Sequence, residues 1–152
     1  MLPDWIELCR LLSDHDAEYL VVGGQAVIAH GYPRLTRDMD LWVRPTASNG
    51  SRVLAALAAF GVPTEGLSAE QLENPRTLLV LGREPFRIDI LTDIPGVTFD
   101  EAWSSRIHVT IDGVTLAIIG KAQLINNKRA VGWLEDLAYA EAHEALEALD
   151  EP

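Results

Sequence analysis

Apolar residues recur along this chain at two spacings. In residues 4–13, Trp5, Leu8, Cys9 and Leu12 stand at i, i+3, i+4 and i+7, the stripe of an amphipathic helix. In residues 38–43 the spacing falls to two, with Met39, Leu41 and Val43 facing one side and Asp38, Asp40 and Trp42 the other. The same criteria predict strands at residues 19–22, 77–82 and 86–92. They also predict a hairpin over residues 107–119, where Asp112-Gly113 between β-formers signals a two-residue turn. Helices are expected at residues 25–30 after a break at Gly23-Gly24, and at residues 48–61 with Ser48 or Asn49 as cap and Gly61 as stop. Further helical segments are expected at residues 68–74 before Pro75, 99–103, 121–132 and 134–150. Helices and strands in this order predict an α/β (α+β) fold, a short mixed sheet flanked by helices. There is no repeat or linker, so residues 1–152 read as a single domain, large enough for one hydrophobic core.

Composition narrows the class. The chain is 48% hydrophobic and 23% charged, and no apolar run approaches the roughly 20 residues of a membrane span. The N-terminus lacks a basic start and a small-residue cleavage site. The single cysteine, Cys9, sits among apolar positions and cannot pair within the chain, so a buried thiol is expected. Together these point to a cytoplasmic protein with no membrane partner. Formal net charge is −11, unevenly spread: residues 34–129 hold eleven acids and eleven bases, whereas residues 135–152 hold seven acids and no Lys or Arg. Such acidity argues against tight non-specific nucleic-acid binding, which is driven by phosphate neutralisation, but leaves room for a local basic pocket. The acidic ends read as solvated faces or as a surface for a basic partner.

Two aspartates on one strand face repel each other if both ionise, and Asp is depleted in strands. Asp38 and Asp40 therefore call for compensation. Arg34, Arg37 and Arg44 are near in sequence, and a divalent cation would serve too; Mg²⁺ commonly takes one or two carboxylates plus substrate phosphates. In residues 86–92, Ile88 and Ile90 point to a core, while Arg87, Asp89 and Leu91 point away. If this strand lies beside residues 38–43, Asp89 joins the other two, and three aspartates can hold two metal ions around a transferring phosphorus. A D-x-D facing solvent or an arginine is the bland reading. Upstream, "VVGGQA" is a strand, two glycines and a helix start: either an ordinary tight turn or a backbone nest for an anion.

Gly-Gly, a short helix, Asp-x-Asp separated from Gly24 by thirteen residues, and a later strand Asp together resemble the nucleotidyltransferase superfamily of the DNA polymerase β type. The fuller stretch "VVGGQAVIAHGYPRLTRDMDLWV", with "FRIDILTDIPGVTFDEAW" and "LINNKRAVGWLEDLA", is similar to bacterial nucleotidyltransferase-like proteins that include toxin components of abortive-infection toxin–antitoxin systems. The resemblance implies that Gly23 and Gly24 cradle a nucleoside triphosphate. It implies that Asp38, Asp40 and Asp89 hold two Mg²⁺ ions, Asp89 doubling as base for the acceptor hydroxyl. Arg34 and Thr36 would contact phosphate or brace the loop, Lys128 would neutralise triphosphate charge, and Asp136 would support the site from the C-terminal helix. The implied activity is Mg²⁺-dependent nucleotidyl transfer to an acceptor hydroxyl on RNA, protein or a small molecule, with an antitoxin or other protein as possible partner. The chain departs from that pattern in three places. Gly24 stands where many relatives have Ser, Trp133 where they have Arg, and Tyr139 where they have a second Asp. These departures motivate an alternative, a non-catalytic domain that senses nucleotide or binds a protein.

The remaining residues have plainer readings. His15, His30, His108 and His143 show no metal-ligand spacing with one another or with Cys9. His30 suits core or loop packing, and Trp42 suits a core cap better than a base-stacking platform. In residues 134–150, Tyr139, Ala142, Leu146 and Leu149 form an apolar stripe that would dock on the body.

Overall fold

A computed structural model describes residues 1–132; the last predicted helix, with Trp133, Asp136 and Tyr139, lies outside them. The described order is α1 (Pro3–Asp14), β1 (Tyr19–Val22), α2 (Gly23–Ala29), β2 (Asp38–Val43), α3 (Ala47–Phe60), β3 (Leu78–Leu81), β4 (Arg87–Leu91), α4 (Phe99–Ser104), β5 (Ile107–Ile111), β6 (Val114–Ile118) and α5 (Lys121–Val131). The strands form one mixed sheet in the order β3-β4-β2-β1-β6-β5. β1 runs antiparallel to β2, whereas β2 and β4 are parallel, joined by the crossover through α3 and β3.

The period-two alternation sorts the sheet's faces. Register pairs Met39 with Ile88 and Leu41 with Ile90, and all four are buried. α1 and α3 lie over this face, where Asp4 and Phe60 share a recess with Leu81 and Ile88. Leu8, Cys9 and Leu12, the predicted stripe of α1, are fully buried. Burial pushes the Cys9 thiol up to about 12, so it is a core residue without thiolate character. On the opposite face the Trp42 ring meets Phe99 of α4 edge-on, 5.0 Å between centroids. Asp112 and Gly113, both with positive φ, make the two-residue turn between β5 and β6. No helix among the described residues is long and apolar enough to cross a membrane.

Three local expectations change. Residues 68–74 form successive turns rather than a helix: Gln71, Leu72 and Glu73 donate to Ser68, Ala69 and Glu70. Ser68 and Gln71 exchange side-chain caps as a helix start would. However, the Thr77 hydroxyl takes the Gln71 and Asn74 carbonyls, and Pro75 follows. With only Leu72 buried at 1% exposure, too little apolar surface is gained to propagate a helix. The cap of α3 is Thr46, whose hydroxyl accepts from the Asn49 amide at 3.2 Å, not Ser48 or Asn49. Gly23 and Gly24 do not precede α2 but are its first two residues.

Asn49 has a different duty. It is 2% exposed; its Nδ2 donates to the carbonyls of Glu18 and Arg44, and its Oδ1 accepts from the Glu18 amide at 2.7 Å. It thereby ties the start of α3 to the segments flanking β1 and β2. Asn49→Ala takes the acceptor from the Glu18 amide, while the Glu18 and Arg44 carbonyls keep the amides of Arg44 and Thr46 as donors; the loss is expected to cost about 1–3 kcal/mol, read as a lower urea midpoint at unchanged m-value.

Candidate functional site

The site grows from the antiparallel pairing of β1 and β2. Their register sets Val22 opposite Asp40, so the chain leaving β1 turns directly over the aspartate strand. Gly23 makes that turn at φ +65°, and a Cβ there would overlap the Asp40 carboxylate. A Cβ on Gly24 would meet Thr36 Oγ1 at 2.8 Å and Thr36 Cβ at 2.9 Å. Both glycines are therefore set by close approach of the residues predicted to share their site. The Thr36 hydroxyl donates to the Asp38 carbonyl at 3.2 Å and braces the loop into β2.

β4 adds the third carboxylate. Its parallel register with β2 places Asp89 beside Asp40 and Arg87 beside Asp38. From α5 comes Lys128, 8% exposed. α5 is held by Asn127, whose Nδ2 donates to the Pro95 carbonyl at 2.9 Å. Close packing on Gly96 helps, since a Cβ there would lie 2.9 Å from the Asn126 carbonyl. One cleft of about 390 Å³ is lined by Gly23, Gly24, Arg34, Thr36, Asp38, Asp40, Asp89 and Lys128, joined by Leu35 and Val131. Every predicted site residue except Asp136, which is outside the described residues, lies in this one place.

Charge within the cleft is unevenly balanced. The Asp40 carboxyl is pushed up to about 6, first by burial and then by the neighbouring Asp89 and Asp38; Lys128 and Arg87 pull the other way. Asp38 Oδ1 is buried with no hydrogen-bond partner among the described residues. Asp89, in contrast, is fully engaged: Arg87 Nε donates to its Oδ1 at 2.8 Å and Arg87 Nη2 to its Oδ2 at 3.1 Å. That fork, with the attraction of Asp38 and Asp40, raises the Arg87 guanidinium further. An orphaned carboxylate oxygen beside a carboxyl that resists ionising suits a hard divalent cation at Asp38 and Asp40. Asp89 differs: with its oxygens in the arginine fork, no group of three His, Cys, Asp or Glu among the described residues is arranged to hold a metal ion.

The arginines near the aspartates in sequence do not all serve them. Arg44 turns to Glu18 and Asp100, and its guanidinium lies 4.7 Å from the Phe99 ring centre. Arg37 reaches Glu84 at 3.4 Å. Lys128 acts on Asp40, and the cation that forks Asp89 is Arg87, nearly fifty residues downstream of Asp38. Its one sequence signal was the R-x-D spacing that puts it on Asp89's side of β4. His30 points away, its Nε2 2.8 Å from the Ile119 carbonyl. A larger cleft, about 450 Å³, opens between α1 and β5–β6 around Trp103 and Arg106. Its carboxylate, Asp14, is already paired with Arg10, and among the described residues no carboxylate cluster lines it.

No known family model matches this chain, and no curated protein is similar to it. A solved structure is similar: a candidate nucleotidyltransferase from Thermotoga maritima, TM-score 0.55, with 14% of residues identical, covering 98% of this chain and 94% of that one. The six-stranded mixed sheet with its flanking helices is a nucleotidyltransferase-like fold.

Proposed function

We propose that this protein is a Mg²⁺-dependent nucleotidyltransferase, moving a nucleotidyl group from a nucleoside triphosphate to an acceptor hydroxyl. The observation that carries this reading is the convergence of the Gly23-Gly24 turn, three strand aspartates and buried Lys128 on one cleft. In the reaction the acceptor oxygen attacks the α-phosphorus, a new P–O bond forms, the bond to the β-phosphate oxygen breaks, and pyrophosphate leaves. The hydroxyl proton passes toward Asp89. The glycine backbone, Arg34, Thr36 and Lys128 bind and orient the triphosphate. Asp38 and Asp40 would hold Mg²⁺, with Asp89 serving a second ion; bound there, the metal supplies positive charge to the transferring phosphoryl oxygens. The acceptor belongs to RNA, protein or a small-molecule class. A toxin role within a cytoplasmic toxin–antitoxin pair, with an antitoxin as partner, follows from the sequence resemblance.

Incubation with labelled triphosphates and panels of acceptors tests the reading. Wild type is expected to transfer label, and Asp38→Ala to lose at least about a thousandfold of the rate, since charge stabilisation of this kind accounts for several kcal/mol. Equal transfer by both proteins, or none by wild type, rules it out. A second reading is motivated by the Arg87 fork on Asp89 and by Gly24, which brings no hydroxyl. In that case the domain binds nucleotide or a protein partner without turnover, and wild type gives Mg²⁺-dependent binding but no labelled product.

A further inference from the structure

We propose that Arg87 is an internal competitor for the metal site, holding Asp89 out of coordination until a triphosphate draws the guanidinium away. This rests on the reading of Asp38, Asp40 and Asp89 as metal ligands. Arg87 and Asp89 stand two apart on β4, so both project from the same face, and the fork engages both carboxylate oxygens. Register places the arginine immediately beside Asp38 and its partner beside Asp40. The guanidinium therefore occupies the flank where a second cation would otherwise sit, and its permanent charge repels one. The division among the carboxylates is unequal. Asp89 is satisfied, while Asp38 keeps a buried, unpartnered oxygen. One position is thus left open to a cation, and the other is filled by the protein itself.

Which partner moves is set by burial. The Asp89 side chain is 11% exposed and fixed in a strand paired on both sides, whereas Arg87 is 35% exposed with a long side chain. Phosphate oxygens offer a guanidinium the same forked geometry as a carboxylate. A triphosphate seated on the glycine turn would therefore exchange with Asp89 as Arg87's partner and release the carboxylate to metal. Metal and nucleotide then bind cooperatively, and the free enzyme holds its second metal poorly.

Manganese binding to the full chain, followed by the electron paramagnetic resonance of free Mn²⁺, tests this without reference to activity. Wild type, Arg87→Gln and Arg87→Lys are titrated with Mn²⁺ alone and again with a non-hydrolysable triphosphate. Arg87→Gln is expected to bind Mn²⁺ alone about tenfold more tightly than wild type. Wild type is expected to gain about tenfold on adding the triphosphate, and Arg87→Gln to gain much less. Arg87→Lys keeps the charge without the fork and should fall between them; it carries the test if a thermal melt shows Arg87→Gln to be unfolded. Unchanged or weaker Mn²⁺ binding by the folded variants overturns the proposal. If wild type still binds Mn²⁺ with triphosphate in that case, the nucleotidyltransferase reading stands while this inference fails. If wild type binds Mn²⁺ under neither condition, both fail.

Discussion

Asp40→Asn is expected to abolish Mg²⁺-dependent triphosphate binding while raising the melting temperature of the metal-free protein at pH 7.5. The reason is the Asp40 environment: folding places its carboxyl where burial, Asp89 and Asp38 disfavour the charge, lifting it from 3.8 to about 6. The folded state therefore binds this proton more tightly than the unfolded chain does, and stability falls as pH rises between those values. Below the unfolded value the group is protonated in both states and costs nothing. Above about 6 it is ionised in both, and the folded state carries the full penalty. The gap corresponds to roughly 3 kcal/mol. Asn removes the charge and keeps the shape, so scanning calorimetry with chelator should show the variant melting about 5 °C or more above wild type at pH 7.5. The difference should shrink through pH 6 and 5 and vanish near pH 4. A variant less stable at pH 7.5 contradicts this account of the site.

Gly23→Ala is expected to damage both fold and site. At φ +65° an L-residue is strained by about 1 kcal/mol. The added methyl would also overlap the Asp40 carboxylate, and relieving such overlap costs typically 1–3 kcal/mol. A loss of about 2–4 kcal/mol follows, with triphosphate binding lost as well because Asp40 or the turn must shift. Gly113→Ala separates the two effects. Gly113 sits in the β5–β6 turn at φ +79°, near the Gly23 value, with nothing within 4 Å of a Cβ, so that substitution carries backbone strain alone. Urea unfolding of both variants measures the steric part by difference. Equal destabilisation would mean that the turn does not press on Asp40.

Legibility in the sequence divided along the range of the interactions. The strand "DMDLWV", its two faces, the break at the glycines and the hairpin at Asp112-Gly113 were readable because they depend on alternation and on positive-φ residues a few positions apart. Residues 68–74 misled for a physical reason. Their capping pair is local and present, but only Leu72 is buried, and how much of a segment the rest of the fold covers lies outside the segment itself. Trp42 had the right alternation to join the aspartates and is instead closed over by Phe99, more than fifty residues away in sequence.

The sequence by itself determined the ingredients: which residues face one side of β2 and β4, where glycine is needed, and that a carboxylate pair on one face demands a counter-charge. The tertiary structure decided which counter-charge it meets. Arg34, Arg37 and Arg44 were the near candidates, yet Arg37 and Arg44 pair elsewhere and Arg87 takes Asp89. That outcome follows from the parallel register of β2 with β4. Such a register is set by packing Met39 and Leu41 against Ile88 and Ile90 across a long crossover, not by any local preference of the chain.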